Sequence, residues 1–243
     1  MRLKFLLISC FFIALIFGNF KHSGAALADT SHKRMSADAT IALYGDLIVF
    51  DVYRKGKKIG AHHVQFTKQD QRLFVHSTLN LDIRILFFSA YSFSYDSRAI
   101  WAGGNLENII VKVDDGGDKF ELTAHRDGDR LQVTHTNGTY ETFTPLYPTN
   151  HWNSQVLTQD RVLNTLTGKM NNVVISSDRE ENVETEIGDI LAQHFTYAGD
   201  LENEVWYDNE GRWVKMRFNG KDGTPIEYVC RRCQGLQAPK VTN

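Results

Sequence analysis

Three groups of residues in this 243-residue chain have the types and spacing for chemistry. The first is the adjacent pair His62-His63. Imidazole is the side chain best placed for proton transfer near neutral pH. Neighbours on a strand point to opposite faces, so the pair cannot share one metal. The second is the segment from Tyr147 to Gln159, the longest break in the strand pattern, which gathers Tyr147, His151, Trp152, Asn153 and Gln159. Loops held by a rigid sheet are where binding groups concentrate. The competing reading is structural, with Trp152 closing one mouth of a curled sheet and Asn153 capping a helical turn. The third is Cys230-Arg-Arg-Cys233. In an exported chain it reads as a local disulfide, which stabilises little because its loop is so small. Zinc would need two more ligands and there is no second C-x-x-C; haem attachment would need His where Gln234 stands. A redox site would need a βαβ context, and this pair follows a strand.

A fourth set, Tyr91, Phe93 and Tyr95, shares one strand face with Trp101 and lines either an apolar groove or plain core. The histidines His76, His125, His135 and His194 each stand singly in strand patterns and read as cross-strand partners or surface groups. G-x-S-x-G, H-E-x-x-H and phosphate-cradling glycine loops are absent. No catalytic residue, metal site or cofactor is therefore assigned. Whether the chain is an enzyme stays open, with the balance against it.

The elements that must position these residues are strands. In the stretch from Gly199 to Phe218, Leu201, Val205 and Tyr207 alternate with Glu202, Glu204 and Trp206. After the turn Asp208-Asn209-Glu210-Gly211, Val214, Met216 and Phe218 alternate with Trp213, Lys215 and Arg217. That is a hairpin with one face on a core and large aromatics on both sides. Alternation is cleanest from Arg72 to Ile85, and Asp127-Gly128 and Asn137-Gly138 mark tight turns. The whole reads as an all-β domain of about ten or eleven short antiparallel strands with a short helical insert near 152–166. Several strands are apolar on both faces, so the sheet is expected to curl into a half-barrel or barrel-like form. The domain should span 45–230, after a flexible leader at 29–44 and before a tail at 231–243.

The N-terminus has a basic start, an apolar run from Phe5 to Gly18 and the small-x-small site Ala26-Leu27-Ala28. This is the layout of a secretory signal peptide over 1–28, cleaved after Ala28, which places the protein in the periplasm with no stable transmembrane segment after cleavage. Cleavage removes Arg2, Lys4 and Lys21 and no acid, taking the net charge from −2 to −5. A mildly acidic protein lacks the basic footprint of a nucleic-acid binder, and no cationic cluster suggests an anionic membrane surface.

One set of motifs runs from end to end of the mature chain: D-V-Y-R-x-G-x-x-I-G-x-H at 51–62, Trp101 with Gly104 and Leu106, W-N at Trp152-Asn153, T-Q at Thr158-Gln159 and N-T-x-T-G at 164–168. It continues with G-D-L at 199–201, W-Y-D-x-x-G-R-W-V at 206–214 and I-E-Y at 226–228. By these the chain resembles a family of uncharacterised bacterial exported proteins, defined as a domain of unknown function. The family often has Tyr where this chain has His151; His63 and C-R-R-C are also particular to this chain. The resemblance implies export and a β-rich fold and brings no activity. The curled run of strands is similar, at fold level, to half-barrels that carry lipoproteins and lipids across the periplasm. The leading expectation is a non-catalytic carrier of an apolar or lipid-like ligand. The alternatives are a hydrolase with His151 or His62 as base near Asn153, and an envelope protein that pairs with a partner protein through a sheet edge.

Overall fold

The fold is built from strands that each pair with the next. A computed structural model describes residues 35–85 and 88–235. The expected signal peptide at 1–28 and the last residues of the tail lie outside the described residues. A helix, α1 (Ala37–Tyr44), precedes β1 (Leu47–Arg54), β2 (Lys57–Gln69), β3 (Arg72–Ile85), β4 (Phe88–Ala102), β5 (Asn105–Asp115), β6 (Asp118–Asp127), β7 (Arg130–His135) and β8 (Gly138–Phe143). A connecting segment holds one turn of 3-10 helix, Ser154–Thr158. Then come β9 (Arg161–Leu163), β10 (Met170–Thr185), β11 (Gly188–Gly199), β12 (Asn203–Asp208), β13 (Trp213–Asn219) and β14 (Pro225–Arg232).

These fourteen strands form one antiparallel sheet in the order β8 to β1, then β14 to β9. It is two meanders joined where the first and last strands pair, with Val52 opposite Tyr228. The sheet is β-rich and curled as expected, yet its ladder is not closed. The distal end of β10 reaches β14. Thr185 Oγ1 hydrogen-bonds Gln234 Oε1 at 3.2 Å, and the Glu186 carboxylate accepts the backbone N–H groups of Cys233 and Gln234 at 2.7 and 2.9 Å. Cys230 and Cys233 are disulfide-bonded, both buried.

Register lines up apolar residues of successive strands on the inner face. One row runs Phe50, His62, Leu79, Tyr95, Val113, Phe120 across β1 to β6. The neighbouring row runs from Phe195 through Val205, Met216, Tyr228, Val52, Gly60 and Leu81 to Phe93. A continuous row across so many strands forces curvature, because only a curled sheet buries it against itself. Val52, Val205 and Tyr228 along it are buried, whereas Leu81 and Phe93 at one end, Phe195 at the other and Met216 between Val205 and Tyr228 are half-buried.

Several expectations need correction. The leader was expected to be loose up to residue 44; instead it ends in α1, whose first turn is capped by Ser36 Oγ accepting the Ala39 N–H at 3.1 Å. Tyr44 at its end is fully buried, which is what anchors a polar, small-residue segment to the sheet. The helical insert near 152–166 is a five-residue 3-10 turn followed by β9, because Arg161–Leu163 can pair with β10. The strand count among the described residues is fourteen rather than ten or eleven: short strands and bulged long ones escape an alternation count. The tail also begins later, since β14 continues to Arg232 and Gln234 is buried.

Candidate functional site

The segment between β8 and β9 enters the curl and fills one end of it. Trp152 is buried, with its ring edge-on to Phe66 and Trp101 at 5.4 Å from each. Asn153 caps the 3-10 turn, its Oδ1 accepting the Gln155 N–H at 3.1 Å. Pro148 forms a parallel bridge to Leu163, and Leu163 N–H donates to Tyr147 O at 3.0 Å, so the segment also covers the β9 edge.

Tyrosines hold this plug. A buried tyrosine stabilises only where its hydroxyl finds a partner. Tyr44 Oη donates to Trp152 O at 3.0 Å and accepts the Trp213 N–H at 2.8 Å. Tyr207 donates to His151 O at 2.7 Å, Tyr140 to Gly168 O at 2.8 Å, and Tyr95 to Asn150 Oδ1 and Thr165 Oγ1 at 3.1 and 3.2 Å. Gly168 must be glycine here: a Cβ would lie 2.5 Å from that of His135, and its φ is +70°.

Next to the plug, the inner face carries aromatic and imidazole rings in a string. Tyr228 meets His62 at 5.6 Å, His62 meets Trp213 at 5.6 Å, Trp213 meets His151 at 5.6 Å and His151 meets Tyr197 at 5.5 Å. Trp213 packs on Phe50 at 4.3 Å. The string mixes protein interior with unpartnered polar atoms. Both ring nitrogens of His62, Nδ1 of His151 and the hydroxyl of Tyr197 are shut from solvent and have no hydrogen-bond partner among the described residues. His151 is 2 % exposed and Tyr197 3 %. His62 is half-buried, with both ring nitrogens shut from solvent.

Burial sets the electrostatics. Desolvation, and then the nearby His151 and His63, push the His62 imidazole down to about 3, and desolvation alone takes His151 down to about 4. Both are neutral at neutral pH. Desolvation raises the Tyr197 phenol. Among the described residues no carboxylate orients either imidazole, which a catalytic base normally requires.

The expected site residues thus separate. The structure brings His62 and His151 together over Trp213, from β2 and the plug. Trp152, Tyr147 and Asn153 build the plug, with the Tyr147 ring 6.1 Å from that of Trp101. Gln159 lies at the surface end of the 3-10 turn, its Nε2 donating to Gln155 O at 3.1 Å. Tyr95 supports the plug, half-buried Phe93 lies on the inner face, and Tyr91 sits near its rim, donating to Asp115 Oδ1 at 2.6 Å. Trp213 and Tyr197 were not singled out as site residues. Trp213 alternates with Val214 and Met216 and would face outward, but a bulge between Trp206 and Tyr207 turns it inward opposite Tyr207. No local signal marks Tyr197, which reads as an ordinary strand aromatic.

Among the described residues, three metal-ligating groups converge only at Glu186, Cys230 and Cys233, where Glu186 Oε2 lies 2.9 Å from Cys230 Sγ. The two sulfurs there are bonded to each other, which leaves no thiolate for a metal. Two depressions, one by Phe74, His76 and Arg98 and one by Leu191, Asp208 and Arg212, have their guanidinium groups already paired, Arg98 with Asp96 and Arg212 with Asp208.

A family model for a domain of unknown function, DUF6134, matches residues 50–231. The chain belongs to this family. The DUF6134 match takes in the curled sheet from β1 to β14 and the plug. No curated protein matches the chain. Its fold is similar to the crystal structure of a beta-barrel-like protein of domain of unknown function DUF1849 from Brucella abortus, with a TM-score of 0.57 and 8 % identity, covering 80 % of this chain and 99 % of the other. At that identity the likeness is one of fold.

Proposed function

We propose that this DUF6134 protein is an exported, non-catalytic binding or carrier protein for an apolar or lipid-like ligand, held against the inner face of its curled sheet. The observation that carries the reading is the inner row itself: Leu81 and Phe93 at one end, Phe195 at the other and Met216 between remain half-buried. Single exposed apolar side chains need no explanation, but several inward-facing ones sharing a row of a curled sheet support a ligand or partner surface. The string offers no oriented histidine and no activated nucleophile, which supports binding over hydrolysis. Export and processing after Ala28 belong to the same proposal.

The test is purification of the protein from the periplasm of an exporting bacterium, with lipid extraction and mass spectrometry, and titration with a fluorescent apolar probe. A reproducible co-purifying lipid class and saturable probe binding, weakened at least tenfold by Phe93→Glu or Met216→Glu, are the expected results. Clean protein with no saturable binding would overturn the reading.

A further inference from the structure

The unpartnered atoms of the interior string say which kind of ligand the carrier takes. The wall tyrosines show what the fold does with buried hydroxyls: Tyr44, Tyr95, Tyr140 and Tyr207 each bond to the plug or its flanks. Tyr197, equally buried and in ring contact with His151, does not. Beside it His151 Nδ1 is unpartnered, and both nitrogens of His62 are too, across the same Trp213 ring. An unpaired buried polar group is costly, so several within one string point to a polar group that this string receives.

The chemistry of that group is set by its surroundings. Among the described residues, no lysine, arginine or carboxylate acts on His62, His151 or Tyr197; the titratable neighbours are Tyr228 beside His62, Tyr207 beside Tyr197, and His63 on the opposite face. A phosphate or sulfate head brings fixed negative charge into a site with no cation to meet it. A carboxylic acid fits, because it can enter with no net charge. As an acid it donates one hydrogen bond and accepts others. Neutral imidazole offers one donor and one acceptor, and phenol offers a donor. From His62 the inner row leads through Gly60 to Leu81 and Phe93, half-buried apolar side chains on the same face.

We propose that His62, His151 and Tyr197 form the headgroup end of the ligand site and receive the carboxyl group of a long-chain carboxylic acid, whose chain lies along the inner row towards Leu81 and Phe93. This rests on the carrier reading above. The acid binds as a net-neutral pair with the histidines: either it stays protonated, or it passes its proton to one imidazole. A free carboxylic acid is ionised near neutral pH, with a pKa of about 4–5. Binding therefore takes up about one proton per ligand from solvent, and affinity falls about tenfold for each pH unit of rise above that range.

The experiment compares oleic acid with oleyl alcohol on the full mature chain by calorimetry, between about pH 6 and about pH 8, in buffers of different ionisation enthalpy. The proposal expects proton uptake and the tenfold slope for the acid and neither for the alcohol. Tyr197→Phe, which keeps the ring, should weaken the acid about tenfold more than the alcohol. Acid and alcohol bound alike, with no proton uptake, would overturn the headgroup assignment and leave the carrier reading in place. Failure of both ligands and of the apolar probe would overturn the carrier reading itself.

Discussion

His62 and His151 are neutral because the fold gives their charge nowhere to go, and that has a measurable cost in acid. Their folded pKa values, about 3 and about 4, lie below the ordinary 6.5. The unfolded chain therefore binds their protons first, and the stability they confer is complete above about pH 6.5 and lost as pH falls towards about 4. Each histidine should contribute a slope of up to about 1.4 kcal/mol per pH unit across that window. Denaturant titration from about pH 7 to about pH 4.5 should show the loss, and His151→Gln should flatten it; an unchanged slope in the variant would place the acid sensitivity elsewhere. His194 shows the opposite arrangement. It is 1 % exposed, with Nδ1 2.6 Å from Asp178 and Nε2 3.1 Å from Glu204. Carboxylates face both of its nitrogens, the polar pairing that His62 and His151 lack. As single residues, His62 and His151 were legible from their type. That they meet was not, since the meeting depends on a plug whose path no local pattern encodes.

At the scale of elements, alternation and turn chemistry located most strands. Asp127-Gly128 and Asn137-Gly138 fall at the β6–β7 and β7–β8 turns, and the hairpin of β12 and β13 turns at Asp208–Gly211, with Gly211 at φ +80°. Missed were α1, β9 and the bulges. The bulge leaves Val214 of β13 as an extra residue, so Trp213 and Lys215, though two apart, face opposite sides and Trp213 could not be placed inward by counting. Trp206 stays outward but is no surface residue: it stacks with His194 at 4.6 Å under the Lys215 ammonium at 4.4 Å and is 1 % exposed. Trp206→Ala should cost about 3–5 kcal/mol and lower the melting temperature sharply while sparing ligand affinity in the folded fraction. A variant that melts like wild type but loses ligand would move the hairpin into the site. The disulfide closes a loop of little entropy, so a reductant should shift the melt slightly; Glu186→Ala, which strips the acceptor from the Cys233 and Gln234 N–H groups, should shift it more. The reverse order in two thermal melts would show that the sulfur link, not the carboxylate, fastens β14 to the β10–β11 turn.

For the whole molecule, antiparallel class and curl were legible because the inner face repeats with period two from β1 to β14. That the ladder stays open was not, for closure is a matter of how far many small twists add up. The order of strands has a consequence for how the chain could be rewired. Every neighbour in the sheet is also a neighbour in sequence except β1 and β14, and the backbone beyond β14 returns to the end of α1: a Cβ on Gly235 would lie 3.1 Å from the Tyr44 carbonyl carbon. The fold is thus a single fourteen-strand zigzag cut open in the middle of its run. Joining residue 235 to residue 35 through a short flexible linker and opening the chain between Gln159 and Asp160 would restore that zigzag, so that each strand meets the one made just before it. Folding slows when contacts span long stretches of chain, so the rejoined molecule should refold faster than the natural one at matched stability, measured by stopped-flow fluorescence. A slower rate would mean that seating the plug around Trp152, rather than bringing the first and last strands together, is the step the natural order makes easy.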